Sequence, residues 1–314
     1  MKIKTTKLLM LCAVWLSAYA VSCNKSDRPE PELPKASLEN IEIGSGNNGI
    51  GIIGRDFHFD ADIIAGDKID NVQIKIQQKA NETYTKQWLF EIEFEQYRGA
   101  KNTNVHKHFH IPEEAPEGQY DFIIIVRDQN GTVHEEIKQI ELIDPANLAV
   151  NPKLYIWGIQ NSNGDSYFVN ETLENPKDVV FAKNDIMSSY VQIKDVKDDG
   201  VMYLLLIKKK LNHFPETIHN IDFSKAIVVD VYEHKGEKEV FTFWNTPYNN
   251  ELHDYERWPE LIMGAARDNN IPNPYPINGE KVWENGEYYL GVVYTNTTHN
   301  LSVHHYFELE VKDF

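Results

Sequence analysis

The chain has 314 residues, 48 of them acidic and 31 basic, for a net charge of −17. That length supplies enough apolar surface for two separate cores. The acidic balance argues against nucleic acid or an anionic membrane surface as partner, and is explained by solubility or by attraction for cations.

Lys2, Lys4 and Lys7 form a basic start, Leu8 to Leu16 is almost unbroken apolar sequence, and the stretch closes on Ala20-Val21-Ser22-Cys23. This is the three-part pattern of a secretory signal. The apolar run from Leu8 to Ser22 has 15 residues, short of the ~20 that a spanning helix needs. A small residue followed by cysteine resembles the lipobox of bacterial lipoproteins. The resemblance implies a signal peptide over residues 1–22 and a lipid, palmitate included, on Cys23, which becomes the first mature residue. The expected location is the cell envelope, lipid-anchored and at the outer membrane, periplasmic or surface-exposed. Cleavage would remove Lys2, Lys4 and Lys7 and no acid, moving the net charge to −20. The only other cysteine, Cys12, leaves with the signal. The mature chain then has no intramolecular disulfide, no cysteine metal ligand and no cysteine nucleophile.

Residues 23–37 are polar, with Pro29, Pro31 and Pro34, and read as a semi-extended tether. From Leu38 the pattern changes. Glu39–Gly44, Asp56–Ile64, Ile69–Gln78, Gln87–Glu95, Thr103–Ile111, Gln119–Arg127 and Thr132–Leu142 alternate apolar and polar with period two, the strand signature. Gln129-Asn130-Gly131 marks a hairpin between the last two. Seven short strands in about a hundred residues predict an immunoglobulin-like β-sandwich over residues 38–145.

Asp144-Pro145 to Asn151-Pro152 reads as a boundary. Beyond it, residues 150–314 predict a second β-rich, sandwich-like domain. Its expected strands are Lys153–Trp157, Asp178–Phe181, Tyr190–Val196, Val201–Lys208, Ala226–Glu233, Glu239–Trp244, Glu287–Thr295 and Val303–Lys312. One short helix is expected over Glu256 to Arg267, where Trp258, Leu261, Ile262 and Ala265 have helical spacing. The fold class is therefore all-β, with one helical exception.

The ordered motifs Asn40-Ile41-Glu42, Asp56-Phe57-His58-Phe59-Asp60-Ala61-Asp62-Ile63, Lys68-Ile69, His108-Phe109-His110-Ile111-Pro112 and Ala115-Pro116-Glu117-Gly118-Gln119-Tyr120 resemble a family. It comprises uncharacterised Gram-negative lipoproteins with a His-containing immunoglobulin-like domain of unknown function, domain-of-unknown-function family 4625. The resemblance covers residues ~38–143. It implies the sandwich and the envelope location, and no activity.

The most chemically pointed segment is Val105-His106-Lys107-His108-Phe109-His110-Ile111. Successive side chains on a strand point to opposite faces. With Phe109 and Ile111 in the core, His106, His108 and His110 point outward. On Asp56–Ile64 the phenylalanines go inward, leaving Asp56, His58, Asp60 and Asp62 outward. By chain order these two segments are strands B and E, neighbours in one sheet of such sandwiches. Opposed residues on neighbouring strands have Cβ atoms ~4.5–5.5 Å apart. A pair or trio drawn from His58, His106, His108, His110, Asp56, Asp60 and Asp62 can close on one ion. Imidazole with carboxylate suits zinc, copper, nickel or iron better than calcium. A plain solvated sheet face explains the same residues without a ligand, and a one-residue slip in register would turn one set inward.

Other motifs carry less. Gly49-Ile50-Gly51-Ile52-Ile53-Gly54 has the dinucleotide spacing but lacks the following helix that would hold a pyrophosphate. His304 and His305 are adjacent on the last predicted strand and face opposite ways, so they do not make a ligand pair. Trp244, Tyr248, Trp258 and Tyr275 sit near loops and could stack on sugar rings, or pack as ordinary core. No nucleophile elbow, zincin motif or phosphate loop is present, and a hydrolytic carboxylate pair would not be visible among so many acids. The expectation is a non-enzymatic, lipid-anchored envelope binding protein, with the membrane and an envelope transporter or glycan as partners. Its sharper form binds a transition-metal ion on the outer face of the first sandwich. The alternatives are a surface glycan-binding lipoprotein and a structural or adhesion lipoprotein.

Overall fold

The computed structural model describes residues 32–314 apart from Asp165 and Glu171. The expected signal peptide, Cys23 and the tether up to residue 31 lie outside the described residues. Residues 35–314 form one compact unit, and it is all-β. Among the described residues, no helix is long and apolar enough to cross a membrane.

The first eight strands are β1 (Ser37–Ile43), β2 (Ile50–Ile52), β3 (Asp56–Ile64), β4 (Ile69–Gln78), β5 (Leu89–Glu93), β6 (Asn102–His110), β7 (Gly118–Asp128) and β8 (Val133–Ile143). They build two sheets, one ordered β1-β3-β6 and the other β2-β8-β7-β4-β5. Period-two alternation explains the layers. Phe57, Phe59, Ala61 and Ile63 of β3, with Val105 and Phe109 of β6, are buried against Ile74, Ile76, Tyr120 and Phe122 of the five-stranded sheet. Phe59 lies 5.7 Å from Phe122, centroid to centroid. Each buried phenylalanine contributes about 1.5–3 kcal/mol of transfer free energy. The glycine-rich segment before β3 forms the short strand β2 in place of a helix, so the dinucleotide reading is excluded structurally as well.

The remaining strands are β9 (Lys153–Gln160), β10 (Ser166–Val169), β11 (Val180–Ala182), β12 (Ile186–Lys208), β13 (Ala226–Trp244), β14 (Tyr248–Asn249), β15 (Asp254–Tyr255), β16 (Glu260–Ile262), β17 (Gly286–Asn296) and β18 (Leu301–Lys312). Eight of them form a single sheet, and β14 and β15 pair by themselves. β12 is its spine. Its first half pairs with β9 and its second half with β17, while β13 runs along the other side. The sheet curls until Trp157 of β9 meets Phe307 of β18, 5.0 Å between centroids.

Three expectations for this region change, the first being that Ala226–Glu233 and Glu239–Trp244, expected as two strands, are one strand of 19 residues. The strands expected as Tyr190–Val196 and Val201–Lys208 are one strand of 23 residues. The polar stretch between them continues as irregular strand, because Asp195 and Asp198 take left-handed backbone conformations. Ladder shifts against β13 accompany them. Gly200 is needed there, since a Cβ would come within 2.3 Å of the Tyr294 hydroxyl. The helix expected over Glu256 to Arg267 does not form. Glu260–Ile262 instead pairs with the start of β12, Ile186 opposite Ile262. Leu261 enters the core while Ile262 faces out. Sheet pairing and the pull of Arg257 toward buried Asp230 override the helical spacing.

The connection from β12 to β13, residues 209–225, positions the functional site. Leu205, Ile207, Val228 and Val293 form a second apolar cluster, against which Ile218 and Phe223 of the connection pack. Phe214 packs on Tyr289, centroids 4.2 Å apart and rings tilted by 48°, and the Tyr306 hydroxyl donates to Pro215 O at 2.7 Å. The Ile218 N–H donates to Thr295 Oγ1 at 3.2 Å. Apolar cover and these bonds carry the connection up to the first sandwich. There a Cβ on Gly46, which has φ +64°, would come within 3.1 Å of Thr217. Asn220 Nδ2 donates to Glu42 Oε2 at 3.2 Å.

Candidate metal centre

β3 and β6 pair antiparallel with His58 opposite His108, Asp60 opposite His106 and Asp56 opposite His110. The register therefore keeps every predicted residue on the outer face. Their ring centroids gather, His58 lying 5.0 Å from His106 and 5.1 Å from His108. The outer face is not fully open, however. His58 is only 8% exposed, because the β12–β13 connection lies over it.

That connection contributes the residue the sequence did not reveal. Glu216 Oε1 is 3.0 Å from His108 Nε2, and its Oε2 is 3.3 Å from His58 Nδ1. His106 Nε2 and His108 Nε2 are 3.2 Å apart. Ligand atoms of His58, His106, His108 and Glu216 all lie within 4.8 Å of one another. Donors bound to one ion at ~2.0–2.2 Å lie about 3.3 Å apart in a tetrahedron. The His106–His108 and His108–Glu216 Oε1 separations are already close to that value, as is that of the other Glu216 oxygen from His58.

The other nitrogen of each imidazole faces an acid. Asp60 Oδ2 is 3.0 Å from His106 Nδ1, and Asp56 Oδ2 is 2.5 Å from His108 Nδ1. Glu42 Oε1 is 3.7 Å from His58 Nε2. A carboxylate behind the ligating ring fixes its tautomer and raises its basicity, the usual arrangement around a metal-bound histidine. Asp56 and Asp60, expected as ligands, thus take the outer position. Asp62 leaves the site: it accepts from Asn40 and Asn104 at 2.8 and 3.0 Å. His110 is exposed and not part of the converging group.

Two observations concern charge. Both ring nitrogens of His58 are buried without a hydrogen-bond partner. The neighbouring Glu216 and Glu42 oxygens are close but misaligned. Burying an unsatisfied polar atom costs about 1–3 kcal/mol, and an ion at Nδ1 would remove that cost there. Pairing with Glu216 raises the His108 pKa to about 9, with Asp56 adding to it against the opposing effect of burial. Burial alone would push the Glu216 carboxyl up, but His108 and His58 hold it well below the usual carboxylate range.

A cleft of about 230 Å³ opens beside His58 and Glu216. Its walls include Arg55, Asn48, Ser302 and His304. His304 is therefore next to the centre without being one of the four converging groups. His305 points elsewhere, its Nε2 2.6 Å from Asn175 Oδ1.

The aromatic residues considered for glycans do not assemble into one platform. Trp244, Tyr248, Trp258 and Tyr275 are all exposed. Tyr255 bridges Tyr248 and Trp258 at 5.3 and 4.9 Å. Tyr275 instead packs on Phe223, 5.2 Å away.

Residues 21–143 match the family described as a domain of unknown function (DUF4625), the family expected from the motifs between Asn40 and Tyr120. No curated protein matches the chain. Among solved structures, the native conformation of Escherichia coli alpha-2-macroglobulin is similar over 90% of this chain and 16% of that one, at 8% identity and a TM-score of 0.24. The same protein activated by porcine elastase is similar over 88% of this chain and 23% of that one, at 11% identity and a TM-score of 0.23. The chain thus spans less than a quarter of either.

Proposed function

We propose that this chain is a lipid-anchored envelope protein that binds a transition-metal ion between its first sandwich and the β12–β13 connection. The convergence of His58, His106, His108 and Glu216 within 4.8 Å carries the reading. Histidine Nδ1 from His58, Nε2 from His106 and His108, and one Glu216 oxygen form an N3O donor set. Such a set suits zinc, copper, nickel or iron and excludes the all-oxygen preference of calcium. The three acids behind the rings support it further, because a solvated face has no need to orient each imidazole. Anchoring rests on the sequence pattern at Cys23. It would hold the centre at the membrane surface, where an envelope transporter could deliver or receive the ion.

Calorimetric titration of metal-free protein with zinc and copper tests the centre. One equivalent should bind, and His108→Ala should lower the affinity at least ~100-fold, since removing a ligand exceeds the ~10–100-fold cost of disturbing an outer partner. Equal binding by the parent and the variant would reject this site. The anchor is tested separately, by mass spectrometry of membrane-extracted protein. A Cys23→Ser chain that still carries lipid would overturn it.

A further inference from the structure

The cleft beside the metal centre has chemistry of its own. Arg55 lies in its wall with one hydrogen bond, from Nη1 to Asn151 Oδ1 at 2.8 Å. Among the described residues no carboxylate forms an ion pair with it, although acids outnumber bases in the chain. A guanidinium carries five N–H donors in a planar fork suited to carboxylate or phosphate. Most of that fork is unused. Ser302, Asn48 and His304 add polar groups around the same space, and Phe57 and Leu301 give it an apolar side.

The charged side chains lining the cleft are Arg55, Asp56 and Glu216. A divalent ion on the four ligands takes the place of the His108 proton and adds one positive charge beside them. The loaded cleft therefore attracts an anion more strongly than the metal-free one. A four-donor protein set also leaves room for expansion, since zinc passes to five-coordinate and nickel and iron to six. Two of the four ligands, His58 and Glu216, border the cleft, so a further donor approaches from that side. At ~30 Å³ per water, 230 Å³ holds roughly seven waters, the size of a small polycarboxylate or a phosphate.

We propose that this cleft binds a small oxyanion which bridges the metal ion and Arg55, so that the protein takes up the metal together with an anionic chelator. This rests on the metal reading above. The discriminating experiment is calorimetry on the full protein, with and without one equivalent of zinc, using citrate and inorganic phosphate as probes. Expected is binding of at least one probe to the zinc form alone, weakened at least tenfold by Arg55→Gln, with circular dichroism and zinc affinity of that variant matching the parent. Citrate binding without phosphate identifies a carboxylate chelator, and the reverse identifies a phosphate ligand; either supports the inference. If zinc binds and neither probe does, or if Arg55→Gln and the parent bind the probe equally, the oxyanion site is overturned while the metal centre stands. If zinc itself does not bind, the metal reading fails and takes this inference with it.

Discussion

Asp230 in the large sheet and His58 in the first sandwich are both buried polar side chains, 1% and 8% exposed, and their surroundings treat them in opposite ways. Asp230 is bridged by the Arg257 guanidinium and accepts from Asn245 Nδ2 at 2.8 Å. Asn245 in turn accepts from the Val191 N–H at 2.6 Å. Nearby, Asp268 accepts from the Val228, Asn270 and Tyr275 backbone N–H groups and from Lys281. These networks close on themselves. His58 does not: its nitrogens reach neither acid with hydrogen-bond geometry, and its neighbours aim donors at a common point. A closed buried network fixes structure, while an open one made of metal-ligating atoms is poised for something external.

Breaking the closed network should have the largest effect. Asp230→Ala leaves a half-buried guanidinium unpaired and should cost about 3 kcal/mol, the low end for a broken buried pair. Urea unfolding should show the same loss with zinc and with chelator; a zinc-dependent loss would erase the distinction between the two centres. The open network should respond to metal instead. Zinc at ~100 times its dissociation constant should stabilise the parent by about 2.7 kcal/mol. His108→Ala should abolish that gain, and a gain that survives would place the ion elsewhere. Next comes the outer shell. Asp60→Asn removes the acid behind His106 and should weaken zinc binding about 10–100-fold, whereas Asp62→Asn, whose carboxylate only meets Asn40 and Asn104, should leave the affinity unchanged.

Acidity should move the two regions in opposite directions. His108 has its pKa raised from 6.5 to about 9 by Glu216 and Asp56. In metal-free protein its contribution is complete below ~6.5 and is lost as pH rises through about 9. Zinc requires the neutral ring, so its apparent affinity should rise roughly tenfold per pH unit up to that value. His234 in the large sheet is pushed down by burial, its Nε2 2.8 Å from the Tyr294 hydroxyl. Its contribution is present above ~6.5 and fades as pH falls below that value. Titrating zinc at three pH values and following metal-free stability over the same range would expose a reversed sign in either.

Most of the first sandwich was legible because its strands are amphipathic with period two. Phe57, Phe59, Val105 and Phe109 define the inner face, and the histidines follow by alternation. Glu216 was not legible. It sits in a connection with no periodicity, 108 or more residues from its partners, and one glutamate among 48 acids carries no mark. Its place is set by Phe214, Pro215 and Ile218 resting on β17 and β18, a tertiary fact. The missed continuity of β12 has a similar cause. The polar stretch 197–200 reads as a break between two strands, yet bulges let the ladder proceed through it. The expected helix failed because Leu261 and Ile262 fit helical spacing and strand alternation equally well.

The support beneath Glu216 has a kinetic consequence. Tyr289 and Tyr306, which seat Phe214 and Pro215, lie on β17 and β18, which follow the three histidines and Glu216 in chain order and so are synthesised after them. Until they dock, a nascent chain holds three histidines but no anchored fourth donor. Under the proposed metal reading, tight capture of the ion awaits that docking, so folding intermediates that lack it should exchange metal more freely than the folded molecule.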